Sequence, residues 1–324
     1  MPDAHEAVAV FAGLATSLGV GAALALFHPP LVRFLRSFPP ELRAAGCAAF
    51  LGMPLAMGVL AAVLCKVAAD GLVLDLVTHH CHASAVGCEP HAAMSTTLAL
   101  MIATGVVVAM LFVSLAWRTA SQAVPALRAL RLLHAASTPI RASGLGLVDS
   151  DAAVACATGL LKPRLFLSRG LWRRLDLTEL KVVLRHERAH LARHDHHVRL
   201  LAAVISLGHW PDVARRLFGE LVLAQEQACD RVAARYYGAL RTAETVLKVE
   251  RMSRGSARAA TMSTAFADAP VVARIQALLE PHYRSPVASA AMLAGTAVLV
   301  VGGVVLGVEP LHHAVETLVV HSHG

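Results

Sequence analysis

The sequence has little charge, and its charged residues are unevenly distributed. Only 16% of its 324 residues are Asp, Glu, Lys or Arg, whereas 56% are hydrophobic. This balance argues against a wholly soluble chain and is typical of a protein with several membrane spans. Helix-turn-helix, zinc-finger and aromatic-basic patterns are absent, so no direct contact with nucleic acid is expected. We therefore interpret the net charge of +7 as positive charge on the cytoplasmic side of a membrane.

Charge is missing altogether from four apolar stretches. Each is about twenty residues long, enough to cross a bilayer as a helix. The stretches are Ala7–Phe27, Ala44–Leu64, Leu98–Trp117 and Val287–Val308. The first also lacks the basic start and the A-x-A cleavage site of a signal peptide, so we interpret it as a retained span. The sequence thus predicts an α-helical membrane protein with four transmembrane helices.

Lys and Arg are also absent from the N-terminus and from the tail after the fourth stretch, and they are frequent elsewhere. Three arginines lie in the segment 28–43, and many more lie between the third and fourth spans. The positive-inside rule then predicts that both termini are outside and that the segment 118–284 is cytoplasmic. The predicted domains are 1–117 with three spans and an external loop at 65–97, the cytoplasmic segment 118–284, and 285–324 with the fourth span.

The residues Val183–Asp195, V-L-R-H-E-R-A-H-L-A-R-H-D, contain an H-E-x-x-H motif. Residues four apart lie on one face of a helix, so His186 and His190 can offer two imidazoles to one zinc ion. Glu187 lies beside them, where it can take a proton from a water that the ion activates. This is the arrangement of a zinc metalloprotease.

A catalytic zinc needs a third protein ligand, and the residues leave two candidates. His196 has the metzincin spacing, but the glycine that this pattern requires is replaced by Arg193. Glu226 lies downstream, four residues before Asp230 on the same face of a predicted helix. Asp230 would accept a hydrogen bond from a ligand histidine and set its tautomer.

The segments around the motif have weaker patterns. Thr138–Leu147 is turn-rich, and Ala152–Ala157 and Arg164–Leu167 are strand-like. Asp176 or Thr178 can cap the helix that carries the H-E-x-x-H motif, and Glu179 fits a capping box with Asp176. The strands could bind a substrate as an added strand or form a plain hairpin. A second donor to the oxyanion is not identified by the sequence, and the candidates are Tyr236, Tyr237 and Arg274.

The predicted external loop is rich in histidine and also contains two cysteines. In an oxidising compartment the cysteines could form a disulfide, and alternatively the cluster could bind a soft metal ion. No fixed ligand spacing is met, so both interpretations stay open. The residues are His79, His80, Cys81, His82 and Cys88.

The motif H-E-R-A-H-L-A-R-H-D, followed by E-Q-A-C-D-R-V, resembles the BlaR/MecR-type membrane zinc metallopeptidases. So do Gly159–Leu171, before the zinc helix, and Ala273–Leu279, before the last span. The resemblance implies a mainly helical α+β cytoplasmic domain of the gluzincin type with one zinc per chain.

The same resemblance implies roles for individual residues. The metal ligands would be His186, His190 and Glu226, and Glu187 would be the catalytic base. Asp230 and Asp195 would orient the ligands, although for Asp195 an exposed charge is an equal alternative.

The function implied is that of a membrane endopeptidase acting in transmembrane signalling. It would cleave a cytoplasmic protein such as a transcriptional repressor, or itself, at the bacterial inner membrane. Only Glu309–Gly324 follows the last predicted span, so a penicillin-binding sensor domain is not expected in this chain. The expected partners are the lipid bilayer and the protein substrate, and a homodimer is left open.

Two alternatives compete with this interpretation. One is a quality-control metalloprotease of the HtpX type, whose relatives carry T-H-P where this chain has S-T-A-F at Ser263–Phe266. The other is a membrane signalling protein that binds metal without proteolysis, as the histidine-rich exterior suggests.

Overall fold

The computed structural model describes residues 4–69, 98–140, 145–158, 164–256 and 270–321. In this part of the chain, four helices are long and apolar enough to cross a membrane. They are α1 (Ala4–Arg36), α2 (Pro40–Ala69), α3 (Leu98–Ala135) and α10 (Pro286–His321). The predicted fold class, a mainly helical protein with four spanning helices and a small sheet, is confirmed.

The first two spanning helices are longer than the apolar stretches predicted. The segment 28–43 was expected to be a loop, but α1 continues through Pro29 and Pro30 to Arg36, and α2 begins at Pro40. A proline lacks the N–H that would bond the carbonyl four residues earlier. The His28 ring takes over this role for Pro29, because its Nδ1 lies 2.9 Å from the Ala25 carbonyl oxygen.

Helices α1 and α2 form a tight hairpin. A Cβ added to Gly13 would lie 2.7 Å from the Gly58 carbonyl oxygen, so only glycine allows the backbones to approach this closely. The hairpin packs on α7 (Pro211–Tyr237) around a buried apolar core that includes Leu35, Phe38, Leu51, Leu217 and Leu221, and parts of α6 and α10 also lie against this core. By contrast, the most apolar stretches of α3 and α10 contain no buried residues in the described part of the chain.

A four-stranded sheet follows α3. Its strands are β1 (Ser137–Ile140), β2 (Leu145–Val148), β3 (Ala155–Thr158) and β4 (Arg164–Ser168), in the order β1-β2-β4-β3. Strands β2 and β4 are parallel, and the two outer pairs are antiparallel. The strand-like runs before the zinc helix are thus confirmed as β3 and β4.

The segment Thr138–Leu147, which was expected to be turn-rich, instead contributes to β1 and β2. Gly146 lies in β2, where the ring of Phe166 on the neighbouring strand lies against it. A Cβ at this position would be 2.8 Å from Phe166 Cδ1. The glycine therefore permits close packing between neighbouring strands, where the sequence pattern alone indicated a turn.

The remaining helices are α4 (Arg169–Arg174), α5 (Leu177–Arg193), α6 (Asp195–Ile205), α7, α8 (Ala239–Ser256) and α9 (Val271–Leu279), with a 3₁₀ turn at Ser206–Gly208. Helix α5 carries the H-E-x-x-H motif. Asp176 caps it, and Glu179 completes a capping box, as predicted. Leu180 and Val183 bury its apolar face against a cluster that includes Leu167 of β4.

Helix α6 runs towards the spanning helices, and α7 runs away from them. A Cβ on Gly21, within α1, would overlap the Gly208 carbonyl oxygen of the 3₁₀ turn. The buried His209 ring contacts the Phe50 carbonyl oxygen of α2 at 2.9 Å through Nε2, and Arg118 of α3 donates to Ser206 Oγ at 3.1 Å. The connection that leads into α7, the helix that carries Glu226, is therefore anchored directly to the spans.

Candidate metal centre

Three side chains from α5 and α7 converge on one point. The Nε2 atoms of His186 and His190 lie 3.2 Å apart. Glu226 Oε2 is 3.4 Å from His186 Nε2, and Glu226 Oε1 is 3.4 Å from His190 Nε2. Because His186 and His190 are one helical turn apart, α5 presents them side by side, and α7 brings Glu226 opposite.

These separations fit a tetrahedral zinc site. With Zn–N and Zn–O bonds of about 2.0–2.1 Å, neighbouring ligand atoms of a tetrahedron are about 3.3 Å apart. The two imidazole nitrogens are 3.2 Å apart, and each has one oxygen of Glu226 at 3.4 Å, Oε2 for His186 and Oε1 for His190, so these contacts are close to the ligand separation of a zinc site. Two imidazoles and one carboxylate form the donor set of a catalytic zinc, which keeps its fourth position for water or substrate.

A buried carboxylate orients each histidine. His186 Nδ1 lies 2.9 Å from Asp230 Oδ1, and His190 Nδ1 lies 2.8 Å from Asp195 Oδ2. Asp230 is 0% exposed and Asp195 is 2% exposed. The His190 contact is a hydrogen bond and the His186 contact is an ion-pair distance, and a carboxylate at Nδ1 favours the proton there, so that Nε2 of both rings faces the common point. The structure thus places Asp230 and Asp195 where the sequence expected ligand-orienting groups.

Two arginines surround the carboxylates. Arg274 of α9 donates to both oxygens of Asp230, at 2.7 and 2.8 Å, and its Nη1 lies 3.3 Å from Glu226 Oε2. Arg199 of α6 donates to Glu226 Oε1 at 2.8 Å and to Gln225 at 2.6 Å. Buried carboxylates need such cations, because desolvation alone would favour their neutral form.

The pKa values in the cluster show this balance. Burial by itself raises the pKa of Glu226, but His190 and Arg274 hold it well below its ordinary value. Asp230 behaves in the same way, because the charge of Arg274 outweighs burial and lowers its pKa. Burial lowers the pKa of His186, yet Asp230 and Glu226 raise it to about 10. A metal ion entering this site must therefore displace a proton.

Glu187 follows His186 on α5 and is half-buried. Its carboxylate is close enough to β3 to influence Cys156, whose pKa is raised to about 12 by burial and by the charge of Glu187. Strand β3 is the edge strand of the sheet and packs beside α5. The predicted base therefore lies on the helix that packs beside β3, one residue after His186.

The structure does not bring His196 to the ligand pair. Among the described residues, two groups could hold a metal ion, and His196 belongs to neither. The chain turns at His194, which has a left-handed backbone with φ of 54°, and α6 begins at Asp195. His196 consequently lies on α6, with its ring centroid 4.0 Å from that of His197.

The second group consists of His190, Asp195 and Cys229. The Cys229 sulfur lies 3.3 Å from His190 Nδ1 and donates to Asp195 Oδ2 at 3.5 Å. Burial, followed by the charge of Asp195, raises the pKa of this thiol far above its ordinary value, so it stays neutral. Because His190 Nδ1 is already bonded to Asp195, this group supports the orientation of His190. Cys229 is fully buried and is a small residue of the core.

The oxyanion candidates have other partners. Arg274 contacts the two carboxylates, and Tyr236 lies under Arg185, whose guanidinium carbon is 3.7 Å from the ring centroid. The sequence reasoning missed Arg199, and the only available signal was its position four residues after Asp195. The external residues His79, His80, Cys81, His82 and Cys88 lie outside the described residues.

Comparison with known proteins gives one match. A protein-family model described as BlaR1 peptidase M56 matches residues 61–278, well over half of the chain. The matched segment runs from α2 to α9 and includes all three metal-facing side chains, Glu187 and both arginines. No curated protein and no solved structure matches the chain.

Proposed function

The chain belongs to the BlaR1 peptidase M56 family, and from this premise we propose that it is a zinc-dependent endopeptidase that cleaves a cytoplasmic protein in transmembrane signalling. It is a membrane-associated metallopeptidase of the BlaR1 kind. The family match favours this function over a quality-control protease of the HtpX type. A repressor of transcription, or the chain itself, is the proposed substrate.

The observation that carries the proposal is the convergence of His186, His190 and Glu226, whose ligand atoms contact one another at 3.2–3.4 Å. A zinc ion in this position supplies a Lewis acid that makes a water acidic and polarises a peptide carbonyl. In this proposal Asp230 and Asp195 do not bind the ion themselves. They hold the two imidazoles in the tautomer that presents Nε2 to the ion.

Glu187 performs the proton transfers in this proposal. Its carboxylate takes a proton from the attacking water and later gives it to the leaving amine. Glu187 is half-buried and directly follows His186 on α5, the helix that packs beside β3, and this position is consistent with both steps. A substrate segment paired with the edge of β3 would pass this carboxylate in an extended conformation.

The proposed topology follows the distribution of positive charge. Segment 118–284 is cytoplasmic, both termini are outside, and the membrane is the bacterial inner membrane. Arg33 and Arg36 support this orientation, because they form the last turn of α1 next to the α1–α2 connection. In this arrangement the edge of β3 and Glu187 face cytoplasmic proteins.

The first experiment measures zinc per chain in detergent-purified protein. We expect one zinc in the wild type, loss of zinc in Glu226→Ala, and retention in the matched variant His196→Ala. Loss in His196→Ala and retention in Glu226→Ala would contradict the ligand set. A wild type without tightly bound zinc would contradict the zinc enzyme.

A second experiment identifies the substrate. Newly formed protein N-termini are compared by mass spectrometry in cells that produce the wild type or Glu187→Gln. We expect cleavage products of a cytoplasmic protein, or of segment 118–284, only with the wild type. Equal sets of N-termini in both strains would contradict the proposed proteolysis.

A further inference from the structure

Helix α6 contacts the metal centre from a side that the H-E-x-x-H motif does not reveal. Its first residue, Asp195, bonds His190 of α5. Arg199 follows one helical turn later on the same face and bonds Glu226 of α7. One short helix therefore touches ligands from both of the helices that build the site.

Arg199 makes two directed contacts with α7. Its Nη2 donates to Glu226 Oε1 at 2.8 Å, and its Nε donates to Gln225 Oε1 at 2.6 Å. A guanidinium is planar, so two bonds from different nitrogens fix its orientation as well as its position. Gln225 is 1% exposed, which makes it a firm anchor for the second bond.

The contact acts on the oxygen that faces His190. Glu226 Oε1 is the atom 3.4 Å from His190 Nε2, and a carboxylate oxygen has two lone pairs, so it can accept from Arg199 and still face the metal position. Both side chains are largely shielded, with 16% and 15% exposure, so water is a poor substitute for this charge-assisted bond.

The second arginine cannot replace this contact. Arg274 uses its two short bonds on Asp230, and its distance to Glu226 is 3.3 Å, on the opposite oxygen Oε2. Without Arg199, Glu226 would lose the 2.8 Å hydrogen bond at Oε1, and its carboxylate could rotate away from His190.

We propose that Arg199 is a positioning residue that holds Glu226 in the rotation required of a third zinc ligand. This inference rests on the proposed zinc site. It assigns two supporting hydrogen bonds to α6. Asp195 accepts one from the proposed ligand His190, and Arg199 donates the other to the proposed ligand Glu226. Loss of such a supporting partner weakens metal binding by about 10- to 100-fold.

The test measures zinc affinity by competition with a chromophoric chelator, using the full chain in detergent. We expect Arg199→Gln to weaken zinc binding about 10- to 100-fold. Arg199→Lys should be weakened similarly, because a single ammonium cannot bond Gln225 and Glu226 with the fixed geometry of a guanidinium. The matched control is Arg188→Gln, which removes an exposed cation from α5 and should leave the affinity unchanged.

A cobalt-substituted sample supplies a spectroscopic readout. The visible absorption of Co²⁺ depends on coordination geometry, so Arg199→Gln should change the spectrum while Arg188→Gln should not. Unfolding of Arg199→Gln would be recognised by thermal denaturation, and the Arg199→Lys variant then provides the comparison.

The possible failures can be told apart. Wild-type zinc affinity and cobalt spectrum in both Arg199 variants would overturn the inference while leaving the zinc site intact. Tighter zinc binding in Arg199→Gln would also overturn it, since Arg199 would then act as a cation that competes with the metal. Absence of zinc from the wild type would instead overturn the proposed function.

Discussion

Helix α7 uses two of its faces in different ways. One face carries Glu226 and Asp230, which meet the histidines of α5. The other carries Glu220, Gln227 and Arg231, which bond residues at the connection between α1 and α2. Both faces are polar, both are tied to arginines, and yet only the first has the character of a site.

The second face forms a seam between α7 and the spans. Arg36 donates to Glu220, Arg43 donates to Gln227, and Arg231 donates to Glu41. These three pairs are spread over the twelve residues from Glu220 to Arg231, about 16 Å of helix. Their polar atoms bond within separate pairs, and none of these residues belongs to either group of described residues that could hold a metal ion.

On the first face, by contrast, the polar atoms converge. The Nε2 atoms of the two histidines lie 3.2 Å apart, and each has one oxygen of Glu226 at 3.4 Å. Asp230 and Asp195 contact the opposite side of the imidazoles, and the two arginines contact the carboxylates, so these groups are held in place. The comparison teaches that a candidate metal site is recognised by several possible ligand atoms that face one common point. The number of charges alone does not distinguish the two faces.

The largest effect on activity is expected for Glu187→Gln, a change on α5 next to the candidate metal centre. Removal of a general base lowers kcat by about 10²- to 10⁴-fold, while zinc content should stay at one per chain because Glu187 is not a ligand. The measurement pairs turnover of an identified substrate with metal analysis. Loss of zinc together with activity would show that Glu187 supports the metal as well.

Asp230→Asn should weaken zinc binding by about 10- to 100-fold. The amide keeps the shape but lacks the charge that holds His186 and Arg274. Zinc competition in wild type and Asp230→Asn measures the effect. Asp195→Asn is the matched variant on the other histidine. If neither variant changes the affinity, the two carboxylates serve folding and not the metal.

The seam is tested by Gln227→Leu, a change of similar volume. It removes the acceptor of Arg43 and the donor to the Ala273 carbonyl. A buried donor or acceptor left without a partner costs about 1–3 kcal/mol of the free energy of unfolding. Thermal denaturation in detergent should show the loss, with zinc content unchanged. Loss of zinc from the folded variant would mean that the two faces of α7 are not independent.

The smallest effect is expected for Arg231→Gln. Arg231 and Glu41 are 31% and 36% exposed, so solvent screens their pair. Such pairs contribute from about 0 to 1 kcal/mol. Denaturation midpoints for this variant and Gln227→Leu should therefore differ clearly, and equal losses would show that the seam acts as one unit.

Much of the site could be predicted from spacing. His186 and His190 are four apart, and so are Glu226 and Asp230, so each pair is presented by one helix face before any tertiary contact is known. The choice between Glu226 and His196 was different, because it depends on the direction of the chain after α5. The left-handed backbone at His194 starts α6 and carries His196 away from the ligand pair.

Other parts of the fold escaped prediction for similar reasons. The first predicted span ended at Phe27, but α1 continues through Pro29 and Pro30, and His28 supplies a side-chain contact to the Ala25 carbonyl that would otherwise lack its donor. Gly146 was taken as a turn residue, but the ring of Phe166 requires a glycine there. In both cases a local pattern was overruled by one specific contact.

The sequence by itself determined the local features of this protein. Uncharged stretches of span length, a helix cap at Asp176, and the i, i+4 pairs of candidate ligands and supports all follow from residues close together in the chain. Only the tertiary structure decided which of these features meet. Arg199, Arg274 and the seam residues act on partners more than twenty residues away, and bonds over such separations depend on how α6, α7 and α9 pack, which no local periodicity specifies.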